Sequence, residues 1–248
     1  MDKLRKSFGK GPINLKYSKQ IWKKVFYLSI AINFLFVFNV IQTDDGVDAT
    51  TPLFLKNKTY QMKTSNYEVY KTKQANIVML GDSITYGVDW HELLGRSDVV
   101  NRGIGGDYTE GMLHRLHYIY KIQPKVVFIM GGINDLQWNA ASPEQVANNH
   151  KAIIIELKMQ QIQPIITSTL YVAASRKSHK KINKKVDQLN NRLQQIAKEY
   201  NVPYIDLNSM LANGKVLNST YTVDGIHLLG NAYRIWGNEV ARVLNSME

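Results

Sequence analysis

The sequence predicts an α/β protein: a parallel sheet with helices on both faces, preceded by a membrane-spanning helix. Three observations point there. Short, almost wholly apolar runs recur between longer stretches of helical periodicity, the pattern of strands buried on both faces. Several of these runs stop abruptly in turns rich in Gly, Asp, Asn and Ser, where open α/β sheets gather their ligands. Ahead of the first run lies a single uncharged apolar stretch flanked by a basic cluster.

The amino terminus reads as a separate unit. Of the chain's net charge of +11, residues 1–24 supply +7, from eight Lys and Arg against Asp2 alone. The high pI is therefore mostly a property of this tail and does not argue for nucleic-acid binding. Residues 25–43 carry no charge, and 25–41 are apolar apart from Ser29, Asn33 and Asn39. That approaches the ~20 residues a helix needs to cross ~30 Å of hydrocarbon. The basic flank comes first, so the positive-inside rule keeps 1–24 in the cytoplasm and puts the remainder outside. The run is longer than a typical signal-peptide core of ~7–15 residues, and no small-x-small site follows Ile41. An uncleaved anchor is expected, with secretion after signal cleavage as the alternative. Residues 44–75 are polar and mixed, and read as an extracytoplasmic tether, with Tyr67 to Tyr70 covering the edge of the domain that follows.

From residue 76 to 248 strands and helices alternate. Strands are expected at 76–80, 98–101, 125–130, 164–169 and 202–206. Helices are expected near 90–94, over 108–120, from Ser142-Pro143-Glu144 to about 160, over 179–200 and over 230–244. Ser142 followed by Pro143 is a helix-start pattern, an N-cap and a first-turn proline. The absence of cysteine excludes disulfides, thiolate metal sites and a cysteine nucleophile.

The chemistry concentrates at strand ends. Gly81-Asp82-Ser83 follows the first strand; the glycine permits a tight turn that lifts the hydroxyl clear of the sheet. Asn101-Arg102-Gly103-Ile104-Gly105-Gly106-Asp107 follows the second. A dinucleotide loop would need glycine at 108, which is Tyr108, so the spacing fails. The alternatives are a plain strand-to-helix turn or a Gly106 N–H free to face an anion. Gly131-Gly132-Ile133-Asn134-Asp135 follows the third strand; Asn134 is either a turn residue or an amide donor for a developing oxyanion. Asp224-Gly225-Ile226-His227 precedes the last helix. A carboxylate three residues before an imidazole can reach its Nδ1 if the backbone turns at Gly225. Six histidines occur, without ligand spacing such as His-Glu-x-x-His, so no metal is expected.

Taken in order, Gly81-Asp82-Ser83-Ile84, the Gly106 loop, Gly132-Ile133-Asn134-Asp135 and Asp224-Gly225-Ile226-His227 resemble the four blocks of the SGNH (GDSL) hydrolases. The form Gly103-Ile104-Gly105-Gly106-Asp107 is similar to the branch containing the platelet-activating-factor acetylhydrolase catalytic subunits and many bacterial esterases. The resemblance spans about residues 76–245. It implies a three-layer α/β/α sandwich with a five-stranded parallel sheet, flavodoxin-like in outline. It also implies Ser83 as nucleophile, His227 as base and Asp224 as its partner, with an oxyanion hole of the Ser83 N–H, the Gly106 N–H and the Asn134 side chain. No cofactor enters this expectation.

A membrane-tethered esterase facing outward suggests short O-acyl groups on surface glycan as substrate. The open alternatives are a lysophospholipase or thioesterase, an acyltransferase with the same triad, and a non-catalytic anchored binding module. Arg176, Lys177, Lys180, Lys181, Lys184 and Lys185 follow the fourth strand, either as a solvated helix face or as an attraction for anionic polymer or lipid head groups. Oligomeric state and acyl-chain length stay open.

Overall fold

The computed structural model describes residues 51–247. The expected basic tail (1–24) and membrane-spanning segment (25–43) lie outside the described residues. Among the described residues, no helix is long and apolar enough to cross a membrane.

In chain order, helices α1 (Leu53–Lys56) and α2 (Lys58–Val69) lead into strand β1 (Ile77–Gly81). Helices α3 (Ser83–Tyr86) and α4 (Trp90–Leu94) follow, then β2 (Val99–Gly103), α5 (Thr109–His114), α6 (His117–Tyr120) and β3 (Val126–Met130). Next come α7 (Ile133–Gln137), α8 (Pro143–Met159), β4 (Gln163–Thr167), α9 (His179–Tyr200), β5 (Tyr204–Ile205) and α10 (Asn208–Leu211). A small antiparallel pair, β6 (Ala212–Asn213) with β7 (Val216–Leu217), and the final helix α11 (Gly230–Asn245) complete the described fold.

The five strands pair in parallel in the order β2-β1-β3-β4-β5. Every residue of β1 and β3 is buried, as expected of central strands covered on both faces. Right-handed crossovers account for the three layers. The β1-to-β2 connection runs toward one edge and the later connections run toward the other, so they fall on opposite faces. Accordingly α4 packs with α11, and α8 packs with both α5 and α9. The direction of winding reverses between β1 and β3, which opens a crevice at their carboxyl ends.

Besides the unexpected short elements α3, α7, α10 and β6–β7 and a β2 that runs on to Gly103, the structure departs from the expected elements in four places. Most of the described part of the expected tether is helical and packed on the domain. Asn57 caps α2, accepting from Thr59 N–H (2.9 Å) and Tyr60 N–H (3.3 Å). Phe54, Tyr60 and Tyr67 form a small apolar cluster with Ile104. Tyr67 does cover the sheet edge, its ring stacked 4.5 Å from the Arg102 guanidinium of β2. Helix α2 escapes a periodicity search because only Tyr60 and Tyr67, two turns apart, are buried on it.

The expected helix 108–120 is broken into α5 and α6 at Arg115, whose backbone leaves helical geometry (φ −101°, ψ 14°). Strand β4 ends before 169 because side-chain amides replace the sheet as partners. Asn190 and Asn183 of α9 accept from Thr169 N–H (2.9 Å) and Val172 N–H (2.8 Å), and Asn208 accepts from Tyr171 N–H (3.0 Å). Strand β5 is shorter than 202–206, and Pro203 at its start has no N–H for the ladder.

Candidate active site

Ser83 opens α3 at the end of β1. Its neighbour Asp82 caps that helix, accepting from Ile84 N–H at 2.9 Å. Gly81 has no alternative, since a Cβ there would collide with the Thr85 hydroxyl and the Met130 carbonyl. The short helix is held from two sides. Trp90 Nε1–H donates to the Thr85 carbonyl and the Tyr233 hydroxyl donates to the Ile84 carbonyl, both at 2.8 Å.

His227 reaches Ser83 from the loop before α11. Its Nε2 lies 2.9 Å from Ser83 Oγ, and its Nδ1 lies 2.7 Å from Asp224 Oδ2. The other Asp224 oxygen accepts from the N–H groups of Ile226 (2.9 Å) and His227 (2.8 Å). Burial pushes the Asp224 carboxyl up, but these bonds and the imidazole outweigh it and hold the group at about 2, so it is charged at neutral pH. The tight loop depends on Gly225, whose φ of +91° is costly for any other residue. Thr222 Oγ1 fastens the turn, accepting from Gly225 N–H at 2.9 Å and donating to the His227 carbonyl at 2.7 Å. The imidazole and carboxylate side chains are 44% and 43% exposed, so the site is an open groove.

The two remaining sequence-selected positions meet across the crevice. Asn134, in the first turn of α7, donates one amide hydrogen to the Asp107 carbonyl at 2.9 Å. Its second amide hydrogen and the Gly106 N–H have no acceptor among the described residues. The Ser83 N–H, in the first turn of α3, has no intrahelical acceptor either. Three donors are thus left open around the crevice.

Sequence reasoning missed what holds these loops. Arg115 points inward from the break between α5 and α6 and binds the ends of β1 and β2 and the loop that follows β2. Nε donates to Asp107 Oδ2 (2.9 Å), Nη1 to the Arg102 carbonyl (2.8 Å) and Nη2 to the Gly81 carbonyl (3.0 Å). Both Arg115 and Asp107 are buried. The available signal was a cation on the same helical stripe as Met112 and Ile119, both fully buried. Asn57 was also missed; its Nδ2 donates to the Gly105 carbonyl at 2.9 Å, pinning the Gly106 turn from α2. Asp135 is structural, accepting from the Thr109 hydroxyl at 2.6 Å, and burial pushes its carboxyl up to about 6.

A hydroxyl, an imidazole and a carboxylate in hydrogen-bonded series, beside unoccupied N–H donors at the switch point of a parallel sheet, is the architecture of a carboxylic-ester hydrolase. Residues 79–235 match the model of the GDSL-like lipase/acylhydrolase family. Platelet-activating factor acetylhydrolase IB subunit alpha2 of Rattus norvegicus is 28% identical over 172 residues, covering 66% of this chain and 73% of that protein. A GDSL-like lipase from Bacteroides thetaiotaomicron superposes with a TM-score of 0.66 at 25% identity, covering 77% of this chain and 98% of the other. The lipase/acylhydrolase from Enterococcus faecalis shares the fold (TM-score 0.62, 24% identity, 70% and 97% covered). The family match extends over more than half of the sequence: the chain belongs to the GDSL-like lipase/acylhydrolase family.

Proposed function

We propose that the protein is a membrane-anchored esterase, facing out of the cytoplasm, that removes short, acetyl-like O-acyl groups from cell-surface glycan through Ser83, His227 and Asp224. His227 Nε2 takes the Ser83 proton as Oγ attacks the ester carbonyl, and Asp224 stabilises the imidazolium. The Ser83 N–H, the Gly106 N–H and the free Asn134 amide hydrogen receive the oxygen that becomes negative. His227 then protonates the leaving alcohol, and water, activated by the same imidazole, frees the acyl group from Ser83.

The observation that carries this reading is the pair of contacts on one imidazole, 2.9 Å to Ser83 and 2.7 Å to Asp224. A short acyl group is supported by the relative named as an acetylhydrolase, and a bulky acceptor by the open groove. Anchoring rests on the uncharged segment 25–43 behind its basic tail.

The test is turnover of p-nitrophenyl acetate by Ser83→Ala, together with labelling by a fluorophosphonate probe. Loss of both, with the fold retained, supports the assignment. Wild-type turnover, or labelling at another residue, overturns it. Protease accessibility of the domain on intact cells tests the orientation.

A further inference from the structure

A second concavity adjoins the candidate active site at Asp224. It encloses about 640 Å³ between the end of α7 and the turn leading into α9, and Asp224 forms part of its wall. Trp138 stands at one side, 63% exposed, an unusual position for so large an apolar ring. Arg176, Lys177, Lys181 and Lys185 also line it. Among the described residues none of these four cations forms an ion pair with a carboxylate. The single carboxylate of the groove, Asp224, is already engaged by His227.

Both walls are built onto the elements that carry the site. Trp138 N–H donates to the Asn134 carbonyl at 2.8 Å, so the indole sits at the far end of the helix that carries the Asn134 amide. Ala173 N–H donates to the Gly225 carbonyl at 2.9 Å, which ties the 173–178 turn to the Asp224–His227 loop. Lys185 spans the floor, its Nζ donating to the Leu136 carbonyl at 3.3 Å.

We propose that this groove is the subsite for an anionic glycan, the portion of the substrate beyond the ester attacked at Ser83. The inference rests on the esterase reading and names its substrate class. Four unpaired cations in one concavity repel one another and are relieved by a polyanion. One exposed indole offers a flat face for the C–H side of a sugar ring. The apolar floor residues Leu136 and Ile182 are buried rather than protruding, which suits a chain lying in a groove and not insertion into a bilayer.

The test uses the full-length Ser83→Ala chain in neutral detergent, titrated calorimetrically with an acidic oligogalacturonide, a neutral maltooligosaccharide and phosphatidylglycerol in micelles of the same detergent. The acidic oligosaccharide should bind in preference to the neutral one. Trp138→Ala and the double variant Lys177→Ala/Lys181→Ala should each weaken it by about tenfold, the latter effect fading at high salt. Equal binding of both oligosaccharides, binding unaffected by the substitutions, or binding of micellar phosphatidylglycerol abolished by them would overturn the proposal. Wild-type turnover of p-nitrophenyl acetate, a probe too small to fill the groove, reports separately on the esterase reading.

Discussion

The guanidinium of Arg115 lies 2.8 Å from the Asp107 carboxylate, and the pair is buried beneath the loops that form the candidate active site. Through Arg115 the carbonyls of Gly81 and Arg102 are joined to Asp107, whose own carbonyl receives the Asn134 amide. The turn after β1, the turn after β2 and the first turn of α7 therefore share one buried charge network.

Breaking that network from one side leaves a buried charge without its partner. Arg115→Ala should destabilise the fold by roughly 3–5 kcal/mol, seen as a lower urea midpoint. Arg115→Lys should recover only part of this, because a point charge cannot serve two strand ends and the Asp107 carboxylate as the planar fork does. A wild-type midpoint for Arg115→Ala would show that the network is dispensable.

Asp224→Asn should slow ester turnover on the order of 10²–10⁴-fold with little effect on folding, the upper figure being that of a buried triad aspartate. The exposure of Asp224 argues for the lower half of that range, since water can partly replace it. Steady-state kinetics of the variant on p-nitrophenyl acetate check this.

Asn134→Ala removes the open amide hydrogen and the bond to the Asp107 carbonyl together. We expect kcat to fall about 10²–10³-fold with KM far less affected, the signature of an interaction made chiefly in the transition state. A change confined to KM would mean that Asn134 binds substrate and does not serve the oxyanion.

Asn57→Asp separates two roles of one side chain. The variant keeps an oxygen to cap α2 but loses the amide that donates to the Gly105 carbonyl. One lost hydrogen bond of about 1 kcal/mol predicts a small loss of thermal stability together with a kcat lowered by up to roughly fivefold. A variant with wild-type kcat would remove α2 from any part in positioning the Gly106 turn.

Asp82 predicts a pH dependence of stability. Burial pushes its carboxyl up to about 7, and its Oδ2 has no hydrogen-bond partner among the described residues. The folded state thus holds this proton more tightly than the unfolded chain does. Asp82 therefore favours folding at low pH and progressively less as pH rises from about 4 to about 7. Asp82→Asn keeps the α3 cap and removes the titration, so its urea midpoint should gain on the wild type through that window and then run parallel. A constant difference across the window would exclude Asp82 as the source.

Much of this was legible in the amino-acid order because it is local. The apolar runs of β1 and β3 are buried on both faces, and that burial demands unbroken hydrophobic sequence. Ser142-Pro143 started α8 as expected, with a full capping box to Gln145. Asp224 and His227 sit on one short turn, so their contact could be anticipated from three-residue spacing and a glycine. Residues 53–69 were read as tether because two tyrosines two turns apart leave no continuous apolar stripe.

What the chain order determined by itself was the α/β class, the identity of Ser83, Asn134, Asp224 and His227 as residues at strand and helix ends, and the uncharged segment 25–43. Tertiary structure alone decided that Ser83 and His227, 144 residues apart, stand 2.9 Å from one another, that Arg115 turns inward, and that Asn57 reaches the Gly105 carbonyl. The reason is physical. Periodicity and turn chemistry act over a few residues, whereas a buried guanidinium or a cross-sheet hydrogen bond is set by which strand ends the winding of the sheet brings together.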